Sequence, residues 1–134
     1  MSKIIVAESA GFCFGVNRAI NILYKLIDEN KPACTLGPII HNMQMVNELR
    51  EKGVRTIDKI SEAKENETIV IRSHGVPQSI VDEINERHLD YIDATCPFVS
   101  KIHKIVSETD DDSIVIIAGD KNHPEVQGIM GHCK

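Results

Sequence analysis

The sequence lacks any apolar run long enough to cross a bilayer, and its N-terminus lacks the basic segment and long apolar stretch of a secretion signal. It also lacks an excess of basic residues, because 15 Lys and Arg stand against 20 Asp and Glu and the net charge is -5. Acids and bases are interspersed, which argues against a broad nucleic-acid-binding face. These absences predict a cytoplasmic protein with no membrane or nucleic-acid partner.

The four cysteines lack the spacing of a local metal site. Cys13, Cys34, Cys96 and Cys133 contain no C-x2-C pair, so neither a zinc ribbon nor a ferredoxin-type loop is present in one segment. Disulfides are disfavoured because the chain lacks the cysteine density of a small secreted protein. Thiol or thiolate chemistry is therefore favoured, and any metal site must be assembled from distant segments.

Strand patterns and helical patterns alternate along the chain, and no linker interrupts them. Apolar strand patterns occur at residues 3–7, 33–36, 54–57, 68–73, 90–94 and 113–119. Helical spacing occurs at 16–30, 41–53, 77–88 and 98–108, with a possible short helix after Pro124. Such alternation predicts an α/β fold with a parallel sheet of βαβ units.

Cysteines and histidines follow all but one of the predicted strands. In a parallel α/β sheet, ligand-binding groups gather at the carboxyl ends of the strands, beside helix N-termini. The loops at this edge carry Cys13, His41, His74, Cys96 and His123. The glycines around Cys13 indicate close backbone approach, and the helix starts after Cys13 and Cys96 favour a functional thiolate. Cys34 lies inside a strand pattern and is interpreted as a buried structural residue, and His88 and His103 as packed or solvent-facing.

The loop residues point to an anion pocket beside a thiolate site. Histidines and backbone N–H groups at helix N-termini suit phosphate or diphosphate, and no P-loop or G-x-G-x-x-G accompanies them. Cysteines at the same edge could hold an iron–sulfur cluster, and a cluster with fewer protein ligands than irons leaves one iron open to substrate. Glu125, beside His123 in HPEV, is then the natural proton donor.

Two other interpretations of the same residues stay open. The first is a small binding module in which Cys13, Cys96 and the histidines hold zinc structurally. The second is a hydrolase with Cys13 as nucleophile and a histidine as base. Iron and sulfide content, and reactivity with iodoacetamide, distinguish these interpretations from an iron–sulfur enzyme.

Six motifs together carry a family resemblance. They are GFCFGVNRAI, HN at His41, SHGV, DATCP, HPEV and the G-x-x-G that follows it, in this order at fitting separations. With them, the chain resembles the N-terminal part of the 4-hydroxy-3-methylbut-2-enyl diphosphate reductase family, the last enzyme of the non-mevalonate isoprenoid pathway. The resemblance spans essentially the whole chain, and its specificity lies in the combination of motifs.

The resemblance implies an iron–sulfur oxidoreductase with three similar α/β domains in a pseudo-threefold arrangement around a central [4Fe-4S] cluster. Each domain would contribute one cysteine, and Cys13 and Cys96 match two of these ligands. Two electrons would reach the substrate through the cluster from a donor such as ferredoxin or flavodoxin. Loss of water would then yield isopentenyl or dimethylallyl diphosphate.

The resemblance also implies roles for the histidines and the glutamate. His41, His74 and His123 match the residues that bind the substrate diphosphate. Glu125 matches the residue that delivers the proton.

The family's layout implies a division of this chain into three parts. Residues 1–13 are expected to pair with an absent C-terminal domain, 14–96 to form a complete α/β domain, and 97–134 to begin a second one. The third cysteine ligand is expected beyond Lys134. Cys133 is not expected to replace it, because its GHC segment follows a helical pattern rather than a strand. We therefore expect the isolated 134-residue chain to be inactive.

Overall fold

Four parallel strands form the centre of the computed structural model, which describes residues 3–134. The strands are β1 (Ala33–Leu36), β2 (Arg55–Ile57), β3 (Thr68–Ile71) and β4 (Tyr91–Asp93), and their order in the sheet is β2-β1-β3-β4. The helices are α1 (Phe14–Asp28), α2 (Met43–Glu51), α3 (Gln78–Glu86), α4 (Pro97–Ser107) and α5 (Pro124–Met130), with a 3-10 turn at Ile60–Glu62. The predicted α/β class and parallel sheet are confirmed.

The sheet is covered on both faces, as expected for parallel strands joined by helices. Side chains alternate between the faces along each strand, so Val70 packs with Leu23 of α1 on one side. Ile69 and Ile71 pack with Ile84 of α3 on the other side. This double layer holds the strand ends, and therefore the loops that follow them, in defined positions.

Two predicted strands are absent from the structure. Residues 3–7 and 113–119 form no strand, and Ile4, Ile5, Ile114 and Ile116 are largely exposed to solvent. A strand exists only where a neighbour supplies hydrogen bonds, and neither segment pairs with another strand within the described part of the chain. The apolar pattern therefore indicated that these segments favour burial in a sheet. It did not indicate which strand would pair with them.

The sheet and helices α1–α3 all lie inside the predicted domain 14–96, while α4 and α5 pack against each other after it. Residues 1–2 of the predicted segment 1–13 lie outside the described residues. The boundaries at residues 13 and 96 stay a prediction. Among residues 3–134, no helix is both long and apolar enough to span a membrane.

Candidate functional site

Two cysteines begin helices at the carboxyl edge of the sheet. Cys13 is the N-cap of α1 and Cys96 is the N-cap of α4, and neither side chain makes a capping hydrogen bond. Asn42 at the start of α2 behaves in the usual way, because its Oδ1 accepts from the Met45 N–H at 3.0 Å. The two thiols therefore lie at helix starts but make no hydrogen bond to the helix backbone. Their sulfur atoms are available to a ligand.

Tight packing brings the Cys13 loop against Cys96. A methyl group added at Gly15, in the first turn of α1, would lie 2.6 Å from Cys96 Sγ. Arg18, one turn further along, donates from Nη1 to the Thr95 carbonyl at 3.1 Å. Only glycine at position 15 lets the start of α1 approach Cys96 this closely, so the G-F-C-F-G motif has a packing function beside its cysteine.

Three histidines from three separate loops form a cluster at the same edge. The ring centroids of His41 and His74 are 4.5 Å apart, those of His41 and His123 are 5.6 Å apart, and those of His74 and His123 are 5.8 Å apart. The predicted gathering of these residues at one edge is therefore observed in the structure. Their roles as diphosphate ligands are not tested by this geometry and stay a proposal.

The surroundings of His74 favour its neutral state. Burial lowers the pKa of His74 to about 4, and the nearby positive charges of His41, Arg72 and His123 lower it further. His74 Nδ1 is buried, and no residue of the described part of the chain bonds to it. His123 Nδ1 accepts the Glu125 N–H at 3.2 Å, so neutral His123 carries its proton on Nε2. An entering anion would accept the Nε2–H of His123 and offset the neighbouring positive charges that lower the pKa of His74.

A cleft of about 280 Å³ joins the cysteine loop to the histidines. Phe12, next to Cys13 in sequence, lines this cleft together with His41 and His74. Cys96 lies nearby, because its N–H donates to the Ser73 carbonyl at 2.9 Å. The cysteine and histidine sites are therefore parts of one region.

His103 supports the cluster from behind, a role that the sequence did not reveal. It is buried with 8% of its surface exposed, and its ring stacks on His132 with centroids 4.1 Å apart. A methyl group at Gly75 would lie 2.5 Å from His103 Cε1, and one at Gly128 would lie 3.2 Å from its Nε2. His103 thus packs against both the turn that carries His74 and the helix that His123 caps.

The G-x-x-G pattern after HPEV was the available signal for this packing. Its first glycine, Gly128, lies against His103 and the His74 carbonyl. Its second, Gly131, lies against Pro77. Both positions let α5 approach the loop after β3, which a side chain would prevent.

The remaining cysteines and His88 do not line the cleft between the cysteine loop and the histidines. Cys34 is fully buried in β1, and burial raises the pKa of its thiol to about 11, so the prediction of a buried residue is confirmed. Cys133 is half-buried, and its Sγ donates to the Ile129 carbonyl at 3.5 Å. His88 is exposed after α3 in a left-handed conformation, with φ of 54°.

Acid is expected to destabilise the fold through its buried histidines. Burial lowers the pKa of His74 and His103 to about 4 from the ordinary 6.5, so the unfolded chain binds protons in this window that the folded chain does not. The neutral histidines contribute their full stabilisation of the folded state above pH 6.5, and this contribution is lost as the pH falls through about 4. Urea unfolding should show a loss on the order of 1–3 kcal/mol per histidine between pH 7 and 4.5.

His74→Asn should reduce this pH dependence, whereas His88→Asn at an exposed site should preserve it. Asparagine suits the left-handed conformation at position 88, which makes the control conservative. An identical pH dependence in His74→Asn and the wild type would contradict burial of a neutral His74.

Comparisons with known proteins agree on one family. The model of the family described as LytB protein matches residues 4–134. Proteins named 4-hydroxy-3-methylbut-2-enyl diphosphate reductase from Alkaliphilus oremlandii and Aquifex aeolicus are 42% and 44% identical to the chain. These alignments cover 98% and 100% of this chain but 48% and 47% of the relatives. The chain therefore spans about half the length of the curated relatives it matches.

Two solved structures are similar in fold. A structure of (E)-4-hydroxy-3-methyl-but-2-enyl diphosphate reductase, described as the terminal enzyme of the non-mevalonate pathway, has a TM-score of 0.81 at 45% identity. The match covers 98% of this chain and 47% of that one. A Plasmodium falciparum E-1-hydroxy-2-methyl-but-2-enyl-4-diphosphate reductase has a TM-score of 0.87 at 29% identity, covering 93% and 40%.

Proposed function

Because the chain belongs to the LytB family, we propose that it forms part of a reductase of the non-mevalonate isoprenoid pathway. The substrate is 4-hydroxy-3-methylbut-2-enyl diphosphate, and the products are isopentenyl and dimethylallyl diphosphate. The observation that carries this proposal is the grouping of three histidines beside two cysteines at helix N-cap positions, at one sheet edge.

The histidine cluster binds the diphosphate group. Each neutral imidazole offers one N–H donor, and His123 directs its donor through Nε2 because Nδ1 already accepts from the backbone. Burial and neighbouring charges lower the pKa of His74, and a bound anion acts in the opposite direction. Diphosphate binding should therefore be coupled to proton uptake by His74.

Cys13 and Cys96 would hold the cofactor, with a third cysteine supplied from outside this chain. The donor set fits a [4Fe-4S] cluster, since both thiols lie at helix starts without a capping bond and Gly15 keeps α1 against Cys96. Among residues 3–134 there is no group of three or more His, Cys, Asp or Glu side chains arranged for a metal ion. When bound, the cluster supplies the two electrons, which a donor such as ferredoxin or flavodoxin provides.

Glu125 delivers a proton as the substrate loses its hydroxyl group. It lies in the first turn of α5, directly after the His123 cap, so the group that binds diphosphate and the group that moves the proton share one rigid helix start. The overall reaction consumes two electrons and two protons, breaks the C–O bond and releases one water. The partly buried position of Glu125 limits competition from solvent.

The proposal is tested by a hybrid reductase, in which this chain replaces the matching half of the Aquifex aeolicus relative. We expect the hybrid to reduce the substrate with reduced methyl viologen, and Glu125→Gln to lower turnover by roughly 100-fold or more while substrate still binds. Glu86→Gln on the exposed side of α3 is the matched control and should turn over normally.

Two results would contradict the proposal. A hybrid that contains iron and sulfide, binds the substrate and produces no product would exclude the assigned reaction. Unchanged turnover in Glu125→Gln would exclude the acid role alone.

A further inference from the structure

A second, larger cleft lies at the carboxyl ends of β1, β2 and β3. Its volume is about 530 Å³, and its apolar wall includes Leu36, Ile60, Val76 and Ile80. We call it the Arg72 cleft, after the arginine that follows β3 and lines it. The histidine cluster uses none of these residues.

The cleft occupies the place where open α/β sheets bind ligands. Strand order is β2-β1-β3-β4, so the chain leaves β1 toward β2 and then crosses to the opposite side of β1 to form β3. Crevices outside the carboxyl ends of strands at such a reversal are the usual ligand sites of this fold class. Gly37 follows β1 and Arg72 follows β3, so both flank this reversal.

The guanidinium of Arg72 lacks a partner that matches its charge. It is half-buried, and its one protein hydrogen bond in the described residues runs from Nε to the Gly75 carbonyl at 3.4 Å. Within residues 3–134, no carboxylate lies within 4.0 Å of it. Arg55 shows the alternative, because it pairs with Glu67 at 2.7 Å. Arg72 therefore has spare N–H donors in a partly desolvated position.

The charges lining the cleft favour an anion. Glu83 is already paired with Arg87 at 2.7 Å. Lys59 and Asp58 line the cleft, are exposed, and make no ion pair among the described residues. Among the charged side chains that line the cleft, Lys59 and Arg72 are therefore unpaired cations, and Asp58 is the one unpaired carboxylate.

The end of β1 leaves room for the guanidinium. Gly37 has φ of 70°, and a methyl group there would lie 2.6 Å from Arg72 Nη1. Any other residue would strain the backbone and displace the arginine. The guanidinium is therefore held at the wall of the cleft by the shape of the β1 loop.

We propose that the Arg72 cleft binds a small organic oxyanion, whose phosphate or carboxylate head pairs with the Arg72 guanidinium. A short apolar body of the ligand lies against Ile60, Val76 and Ile80. A guanidinium binds such oxyanions through paired N–H groups, and the apolar wall adds hydrophobic contact. This site is separate from the reductase site and does not depend on the proposed function.

Binding in the cleft should be detectable at the histidine cluster. Ser73 alone separates Arg72 from His74, and the charge of Arg72 contributes to the lowered pKa of His74. An anion on Arg72 offsets that charge, so the pKa of His74 should rise. This gives a second readout besides the cleft residues themselves.

The test is an NMR titration of the 134-residue chain with n-butyl phosphate, inorganic phosphate, n-butyrate and n-butylammonium. We expect n-butyl phosphate or n-butyrate to shift the amide signals of Leu36, Ile60 and Ile80, and whichever head group binds more tightly identifies the ligand class. Inorganic phosphate should bind more weakly because it lacks the apolar body. The butylammonium ion has the same body with the opposite charge and should not bind.

Substitutions in the cleft should change the dissociation constant of the organic anion in opposite directions. Arg72→Gln should raise the dissociation constant about tenfold or more, because a charged hydrogen-bonding partner is lost. Asp58→Asn should lower it by removing the one unpaired carboxylate. Arg50→Gln removes an exposed guanidinium outside the cleft and should have no effect. Lys59→Gln, at an exposed site, should weaken binding even if Arg72→Gln proves unstable.

Three results would overturn the proposal. One is the absence of any shift with both organic anions, and another is equal binding in wild type, Arg72→Gln and Lys59→Gln. The third is a set of shifts confined to His41, His74 and His123, which would place the anion in the histidine cluster. That last result would support the reductase site while excluding the cleft, so the two proposals fail separately.

Discussion

Serine at position 96 or position 13 of the hybrid reductase is expected to abolish iron–sulfur content and activity. A serine hydroxyl binds cluster iron far more weakly than a thiolate, so Cys96→Ser and Cys13→Ser should each lose the cofactor rather than merely slow the reaction. Iron and sulfide analysis after anaerobic reconstitution, together with visible absorbance, measures the loss. Turnover with reduced methyl viologen should fall to the background rate.

Cys34→Ala is the matched control for these substitutions. Cys34 is fully buried in β1, and its raised pKa of about 11 keeps the thiol protonated near neutral pH. Its loss should cost some packing energy but leave the iron content unchanged. Full iron occupancy in either serine variant would remove that cysteine from the ligand set.

Alanine at position 75 is expected to lower the free energy of unfolding by roughly 2–5 kcal/mol. Gly75 has φ of 75°, a conformation that costs a residue with a side chain. The added methyl would also lie 2.5 Å from His103 Cε1 and 3.2 Å from Thr95 Cγ2, both in the tightly packed region behind His74. Urea unfolding of Gly75→Ala against the wild type measures the combined cost.

Gly53→Ala separates the two contributions. Gly53 has φ of 95°, and an added methyl there meets no atom within 4 Å, so its substitution reports backbone strain alone. Gly75→Ala should cost clearly more, and His103→Ala should reduce the difference by vacating the space. Equal costs at positions 53 and 75 would mean that His103 does not confine the His74 turn.

Local sequence patterns were enough to predict the strands of the sheet and the helices that pack on it. The run at residues 68–73 contains β3, because consecutive apolar β-branched residues suit a strand buried on both faces. The helical spacing from residue 16 predicted α1, although the helix begins two residues earlier, at Phe14. That difference matters for the site, because the earlier start makes Cys13 the cap itself.

Pairing between strands could not be derived from the same patterns. Residues 113–119 have the apolar composition of β3, yet they form no strand. Composition expresses what a segment would gain from burial in a sheet, whereas a strand also needs an adjacent backbone with free hydrogen-bonding groups. That neighbour is a property of the whole fold.

The sequence by itself determined the class of the fold and the residue types at the strand ends, because both follow from local periodicity and from the direction of parallel strands. Only the tertiary structure decided that His41, His74 and His123 meet with ring centroids 4.5–5.8 Å apart. It also decided that His103 lies behind them. Distances, burial and the lowered pKa of His74 arise from atoms far apart in sequence, and chain packing alone brings those atoms together.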